Sequence, residues 1–185
     1  SFGKNAAARA SVLKELCRRF SIKVHTIGMV KSGARPISST NIRNLIMKGR
    51  LKQAQALLGR PVSVLGTVKK GSARGRMLGF PTANLEGITT LLPPDGVYAG
   101  RCSINGTAYP AAINLGPNPT FGETARKFET HLLGFTGDLY GQTLDVDLLA
   151  RVRDVVRFES SDALKQQLNR DLEAVRALAN AAAGQ

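Results

Sequence analysis

The sequence has few of the side chains that build metal centres and disulfide scaffolds. Among its 185 residues there are two cysteines, two histidines and no tryptophan. Cys17 and Cys102 show no metal-ligand spacing and cannot make a disulfide framework. His25 and His131 are equally isolated. These shortages argue against a secreted disulfide-rich protein and favour a reducing, cytoplasmic setting.

Long apolar runs are also missing. No stretch of about 18 apolar residues exists, which predicts that no helix spans a membrane. No basic-then-apolar signal peptide opens the chain. Hydrophobic residues at 43% and charged residues at 21% are typical of a globular protein with an ordinary core. The chain starts at Ser1 rather than Met, so we interpret it as a fragment or a processed product.

The chain has a net charge of +13, and almost all of this excess lies in its first third, where acidic side chains are scarce. Residues 1–60 hold 13 Lys and Arg against one acid, Glu15, whereas residues 61–185 hold 13 against 12. The second part is therefore near neutral, as is typical of a small-molecule enzyme domain. The basic part fits a phosphate-binding lobe or a segment separated from an acidic partner.

Helical and strand patterns alternate in the first 59 residues. The hydrophobic periodicity predicts a helix over 8–20, a strand over 22–27, a loop over 31–36, a helix ending at Met47 and a helix over 51–58. Ser38 and Ser39 offer an N-cap to the second helix. The order is an α/β pattern, but it is too short for a complete α/β domain.

The pattern changes after the Gly59-Arg60-Pro61 turn, where short β segments begin. They are predicted over 62–69, 97–104, 107–114, 127–133 and 143–149. The Asn105-Gly106 pair is a strong signal for a two-residue hairpin between two of them. Several short strands separated by turns favour a closed or partly closed antiparallel barrel.

The end of the chain is predicted to be helical. One apolar stripe repeats at helical spacing through Leu164, Leu168, Leu172, Val175 and Leu178. Ser160 or Ser161 is the expected N-cap of this helix, and its stripe is expected to pack against the barrel.

The segment Gly79-Phe80-Pro81-Thr82-Ala83-Asn84-Leu85 carries the strongest chemical signal. In an extended segment Thr82 and Asn84 point to the same side. Their hydroxyl and amide oxygens suit Mg²⁺, which also keeps waters and substrate phosphates. The preceding loop, 71–76, offers backbone N–H groups and guanidinium groups to phosphate oxygens. The loop lacks the lysine of a Walker A motif, so a plain hairpin loop is the alternative interpretation.

Glu129 lies in an alternating strand, in which it shares one face with His131 and Leu133. The carboxylate is either a solvated charge on the outer face or a positioned base. The turn-rich loop 114–122 leads into this strand. Phe121 in that loop could stack on an aromatic ligand or simply cap the core.

Six motifs follow one another in the second part of the chain. The glycine- and arginine-rich loop 71–76 precedes the first of them. They occupy 78–84, 92–100, 118–122, 128–133, 138–141 and 153–158. Residues 61–178 thereby resemble the riboflavin kinase module of the bacterial bifunctional riboflavin kinase/FAD synthetase. The resemblance implies a mainly β fold, a six-stranded antiparallel Greek-key barrel with a C-terminal helix.

The resemblance also implies an activity, the ATP- and Mg²⁺-dependent phosphorylation of riboflavin to FMN with ADP as the second product. The family's Thr and Asn bind the Mg–nucleotide, which implies Thr82 and Asn84 as ATP and metal ligands. The family's catalytic base corresponds to Glu129.

Two flaps are implied by the same resemblance. Gly71 and Arg76 fall where the first flap covers the ATP phosphates. The second flap, near the flavin, implies flavin contacts from Asn118, Thr120 and Phe121. The segment 153–158 departs from the family because it lacks the glutamate usual there, which leaves its flavin contacts unassigned.

The first third resembles the closing part of the FMN adenylyltransferase domain of the same enzyme, through residues 2–4 and 37–43. The family's helix N-terminus there binds ATP phosphates, which implies that role for Ser38, Ser39, Thr40 and Arg43. The H-x-G-H motif of that domain is absent. We therefore expect an incomplete α/β nucleotidyltransferase segment over 1–59 and a riboflavin kinase domain over 60–185.

The sequence also allows two other interpretations. A catalytically silent flavin- or nucleotide-binding module is one, although Thr82, Asn84 and Glu129 are all present. A basic nucleic-acid-binding barrel is the other, but the charge lies outside the barrel and no pair of exposed aromatics marks a stacking platform. The expected partners are riboflavin and ATP rather than nucleic acid or a membrane. The sequence does not define the oligomeric state.

The missing H-x-G-H motif generates a first prediction. The chain incubated with FMN and ATP should form no FAD above background, although the longer parent protein is expected to make it. Chromatography of the reaction products measures this. FAD formation by the purified chain would contradict the assignment of residues 1–59 as an incomplete domain.

Overall fold

The structure is a computed structural model that describes residue 5 and residues 8–183. The chain divides into two compact units, residues 1–37 and residues 38–185. The sequence motif at 2–4 lies outside the described residues. Within the described ranges, no helix combines the length and the apolar character needed to cross a membrane.

The first unit contains one helix and one small hairpin. Helix α1 (Ala10–Arg19) confirms the predicted helix and ends with Arg18 and Arg19, whose charges suit a helix C-terminus. Strands β1 (Lys31–Ser32) and β2 (Arg35–Pro36) form a hairpin where a loop was predicted.

The prediction of a strand over 22–27 is wrong, because these residues have no regular structure. Their alternation suits a strand, but a strand also needs a neighbour for its backbone N–H and C=O groups. No described strand pairs with this segment.

Two short helices open the second unit. Helix α2 (Ser39–Met47) begins as predicted, with the Ser38 hydroxyl accepting a hydrogen bond from the Asn41 N–H at 3.2 Å. Helix α3 (Leu51–Leu58) follows. Ile46, Leu51 and Ala54 are buried in the same core as the barrel strands. The predicted domain boundary at 59/60 remains a prediction, and these helices belong to the compact unit that starts at Ser38.

Six antiparallel strands form a closed barrel, confirming the predicted architecture. They are β3 (Val62–Lys69), β4 (Ala83–Glu86), β5 (Gly96–Ile104), β6 (Thr107–Gly116), β7 (Lys127–Leu132) and β8 (Thr143–Arg153). A one-turn helix, α4 (Arg74–Met77), lies in the loop between β3 and β4. The order around the barrel is β3-β4-β7-β6-β5-β8, in which β8 returns beside β5 as a Greek key requires.

The hairpin between β5 and β6 turns at Asn105-Gly106, as predicted. Both residues have positive φ, 49° and 81°, which is the requirement of the tight hairpin turn that these residue types favour. Strand β4 was not among the predicted strands, because four residues after Pro81 are too few to show an alternation.

Side chains of strand β7 alternate between the interior and the outer face of the barrel. Phe128, Thr130 and Leu132 share the interior face, as the predicted alternation requires, and Glu129 and His131 face outward. The free thiol of Cys102 is also buried in the barrel core. Burial raises the pKa of this thiol to about 11, which makes Cys102 a packing residue at neutral pH.

Helix α5 (Ser161–Ala183) packs across the outer face of β5, β6 and β8. Its predicted N-cap is confirmed, since the Ser160 hydroxyl accepts the Ala163 N–H at 3.1 Å. Val175 is fully buried against Ala99 and Leu133.

The helix is also tied to the barrel by an ion pair. Asp171 of α5 is 3% exposed and accepts hydrogen bonds of 2.7–3.0 Å from the Arg153 guanidinium at the end of β8. A paired guanidinium and carboxylate satisfy the charge that burial would otherwise penalise.

The buried Thr130 hydroxyl generates a stability prediction. Its Oγ1 has no hydrogen-bond partner among the described residues. Thr130→Val should leave stability unchanged or raise it by about 1 kcal/mol, since an unpaired buried hydroxyl is replaced by a methyl group of the same shape. Urea unfolding measures this. The reverse change at another buried position of the barrel, Val146→Thr, should be destabilising. A clear loss of stability in Thr130→Val would contradict the prediction.

Candidate functional site

A cavity of about 140 Å³ lies on the outer face of the barrel. The loop between β3 and β4 and the loop between β6 and β7 cover it, and α5 closes one side. Its polar lining is supplied mainly by Ser72, Arg74, Thr82, Asn84, Asn114, Asn118, Thr120, Glu129, His131, Arg153 and Asp171. Its apolar lining includes Phe121, Val156, Phe158 and three leucines of α5.

A row of polar side chains crosses three neighbouring strands at this cavity. Glu129 of β7 is the direct cross-strand partner of Asn84 of β4 and of Asn114 of β6. Directly opposite residues of an antiparallel pair place their side chains on the same face. The carboxylate therefore stands between two amides on the outer face, beneath the two loops.

The Glu129 carboxylate is held by a neighbouring amide. The side-chain nitrogen of Asn118 donates a hydrogen bond of 3.0 Å to Glu129 Oε2. The side-chain nitrogen of Asn114 donates one of 3.1 Å to Asn118 Oδ1. The other carboxylate oxygen, Oε1, accepts no side-chain hydrogen bond from the residues that the structure describes.

The glycine-rich loop before β4 lies directly against Thr82 and Asn84. A Cβ on Gly71 would overlap the side-chain amide of Asn84, and one on Gly75 would lie 3.3 Å from the Thr82 hydroxyl and overlap the Phe80 carbonyl oxygen. These two positions therefore need glycine for close approach. The loop backbone and the two oxygen-bearing side chains form one compact wall.

The two covering loops are bonded to each other. The Arg74 guanidinium donates to Glu123 Oε1 at 2.9 Å and lies 4.9 Å above the centre of the Phe121 ring. Lys127 donates to Glu123 Oε2 at 2.7 Å. This hydrogen bond, aided by the positive charges of Lys127 and Arg74, lowers the pKa of the Glu123 carboxyl against a weaker opposing effect of burial.

Most of the predicted site residues meet in this cavity. Thr82, Asn84, Glu129, Asn118, Thr120 and Phe121 all line it. Gly71 lines an adjoining cavity of about 540 Å³, which shares Ser72 and Asn84 with the first. Arg76 lines a third, smaller cavity together with Thr82.

The predicted adenylyltransferase residues lie elsewhere. Ser38, Ser39, Thr40 and Arg43 are at the N-terminus of α2 and line none of these three cavities.

Six polar residues that line the cavity were not individually predicted as site residues: Ser72, Arg74, Asn114, His131, Arg153 and Asp171. Asn114 could have been found by aligning the alternation of β6 with that of β7. Nothing local distinguishes Arg74 from Arg76, and the Arg153–Asp171 pair joins two elements whose packing the sequence does not display.

The site thus combines an outward carboxylate beneath two loops with a Thr-x-Asn pair on a closed antiparallel barrel. A family model for riboflavin kinase (flavokinase) matches residues 58–179, well over half of the chain. The chain belongs to the riboflavin kinase family, as its motifs predict.

Curated relatives carry the same family name. The bifunctional riboflavin kinase/FMN adenylyltransferase of Haemophilus influenzae is 33% identical over 180 residues, covering 97% of this chain and 58% of that protein. The protein of that name from Pseudomonas fluorescens is 40% identical over 144 residues, covering 77% and 46%. This chain spans about half the length of the curated relatives it matches.

A solved structure shares the fold. A crystal structure described as a macrolide-efflux protein from Streptococcus pneumoniae matches with a TM-score of 0.78 and 37% identity, covering 95% of this chain and 57% of that chain.

The lowered pKa of Glu123 generates a prediction about acid. Its ionised form stabilises the native state above the ordinary glutamate pKa of about 4.3, and this contribution is lost as the pH falls through the lowered value. Glu123→Gln should therefore lower the urea midpoint at pH 7, and the difference from wild type should shrink as the pH falls below the ordinary glutamate pKa and through the lowered one.

The matched control is Glu173→Gln, on the exposed side of α5. This change should leave the urea midpoint unchanged at every pH. A Glu123→Gln difference that stays constant with pH would show that the carboxylate charge is not what stabilises the loops.

Proposed function

We propose that this chain transfers the γ-phosphoryl group of ATP to the 5′-hydroxyl of riboflavin, giving FMN and ADP. The observation that carries the proposal is the placement of Glu129 in one cavity with Thr82 and Asn84, in a chain of the riboflavin kinase family. The barrel supports this by presenting all three side chains on the same outer face.

Glu129 is proposed as the base that accepts the proton of the ribityl hydroxyl. Its Oε2 is engaged by Asn118, which leaves Oε1 to face the substrate. A carboxylate within hydrogen-bond reach both aligns the hydroxyl for in-line attack and removes its proton.

Thr82 and Asn84 are proposed to hold Mg²⁺ together with the nucleotide. The donor set fits this ion, since a hydroxyl and an amide oxygen are hard ligands and leave coordination positions for waters and phosphates. The Gly71 and Gly75 backbone approaches both side chains closely, and we propose that N–H groups of this loop contact the phosphates. When bound, Mg²⁺ neutralises charge on the transferred phosphoryl group.

The nucleotide side of the site is proposed to include Gly71 and the arginines of its loop. Gly71 opens the adjoining cavity that shares Asn84 with the first, so the donor and the acceptor would meet at Asn84. Arg76, implied by the resemblance as a phosphate ligand, faces a different cavity, whereas Arg74 faces the main one. We therefore propose that Arg74 contacts the ATP phosphates in addition to Arg76.

The flavin side is proposed to lie between the loop carrying Asn118, Thr120 and Phe121 and the apolar face of α5. The Thr120 hydroxyl accepts the Phe158 N–H at 3.1 Å, which ties this loop to the segment after β8. Apolar and aromatic walls suit the isoalloxazine ring. Closure of both loops would exclude water and limit ATP hydrolysis.

We further propose that residues 1–59 correspond to the end of an FMN adenylyltransferase domain, with Ser38, Ser39, Thr40 and Arg43 as its phosphate-binding remnant. Relatives whose names include that activity match along nearly the whole chain, which supports this origin. The parent protein would then also convert FMN to FAD. Small-molecule substrates and a cytoplasmic location follow from this chemistry, and no nucleic-acid role is proposed.

The test is an assay of riboflavin with Mg–ATP. The wild-type chain should form FMN, and Glu129→Ala should lower kcat on the order of 10²-fold or more while riboflavin affinity changes by no more than about twofold. Product chromatography gives the rate and flavin fluorescence gives the affinity. Glu173→Ala, a matched change on the exposed side of α5, should have no effect.

Two outcomes would contradict the proposal. Unchanged turnover in Glu129→Ala would remove Glu129 as the base. A wild-type chain that binds riboflavin but forms no FMN would favour the catalytically silent flavin-binding module instead.

A further inference from the structure

We propose that Asn118 is a positioning residue for Glu129, and that Asn114 supports the Asn118 amide by donating a hydrogen bond to its oxygen. The proposal rests on the proposed function, in which Glu129 is the base. It differs from the role implied for Asn118 by family resemblance, which is a direct contact with the flavin.

The Asn118 amide has only one orientation that satisfies both neighbours. Its Oδ1 accepts the hydrogen bond from Asn114, and its Nδ2 donates to Glu129 Oε2. Reversing the amide would place Oδ1 against the carboxylate and Nδ2 against the nitrogen of Asn114. The contact with the carboxylate, which can only accept, would then be repulsive, so Glu129 fixes the direction of the Asn118 amide and Asn114 satisfies its oxygen.

The backbone of Asn118 is held as firmly as its side chain. Its carbonyl oxygen accepts the N–H groups of Phe121 at 3.0 Å and of Glu123 at 3.2 Å, closing the turn of the 3₁₀ helix Pro119–Phe121. The Thr120 hydroxyl and the Glu123 carboxylate anchor the same loop at two further points. These bonds hold the donor above the strand in the conformation in which the loop covers the cavity.

A held carboxylate matters because its rotation changes which oxygen faces the substrate. Glu129 has three side-chain torsions, and strand β7 fixes only where its Cβ starts. The hydrogen bond from Asn118 pins Oε2, so Oε1 is presented to the cavity in one direction. Losing a productive orientation of a catalytic group lowers the rate without requiring any loss of ligand contact.

The experiment measures kcat and riboflavin affinity for the wild-type chain, Asn118→Ala, Asn114→Ala and the double variant. Asn118→Ala should lower kcat on the order of 10- to 100-fold and Asn114→Ala about 3- to 10-fold, with riboflavin Kd changed no more than about twofold. The double variant should be no slower than Asn118→Ala, because both residues act through one chain of hydrogen bonds. Asn114→Ala leaves the loop sequence intact, which guards against misfolding of the loop variant.

The decisive comparison repeats Asn118→Ala in the Glu129→Gln background, using single-turnover phosphorylation. Its effect there should fall to about twofold or less, because a positioning residue has no base left to position. Asn169→Ala, on the exposed side of α5, is the matched control and should leave every constant unchanged.

Three results would overturn the inference. A raised riboflavin Kd with unchanged kcat would return Asn118 to direct flavin contact. If Asn118→Ala lowers the phosphorylation rate as much in the Glu129→Gln background as in the wild type, Asn118 does not act through Glu129. A wild-type chain that forms no FMN would overturn the proposed function and this inference together, whereas an active wild type with additive losses would overturn the inference alone.

Discussion

The register of β7 between β4 and β6 is the constraint on which the site depends. It makes Asn84, Glu129 and Asn114 direct neighbours across three strands. A slip by one residue would turn Glu129 into the interior and expose Phe128 and Thr130, because side chains alternate with a period of two. The burial of Phe128 and Leu132 opposes that slip. The apolar core thus fixes the place of a carboxylate that lies outside it.

The two loops that cover the site are held by weaker interactions than the barrel strands beneath them. Ion pairs between partly exposed side chains, such as Arg74 with Glu123, contribute about 0–1 kcal/mol. Each apolar side chain fully buried in the barrel contributes roughly 1.5–3 kcal/mol. The loops can therefore open while the barrel remains folded. This division suits a site that must admit two ligands and release two products.

Local patterns were sufficient where the structure depends on neighbours in sequence. The alternation of β7, the Asn105-Gly106 turn and the Ser160 cap were all predicted. The strand at 22–27 was wrong because alternation shows a suitable surface without showing a partner strand. Thr82 and Glu129 could be singled out from motifs, but their meeting depends on the pairing of β4 with β7, which only the fold supplies.

The two arginines of the loop between β3 and β4 give a second example of a difference that depends on the fold. The sequence offers no reason to prefer Arg74 over Arg76. In the structure they lie two residues apart on the one-turn helix α4, where such positions point in different directions. One therefore faces the main cavity and the other does not.

Asn84 lines two adjoining cavities at once and acts as a partition one side chain thick. A smaller side chain at this position would enlarge both compartments or join them, and a larger one would narrow both. The shapes of the two compartments cannot be tuned independently at this position. Adaptation to a different ligand in either one would have to proceed through the outer loops and α5, which leave the partition in place.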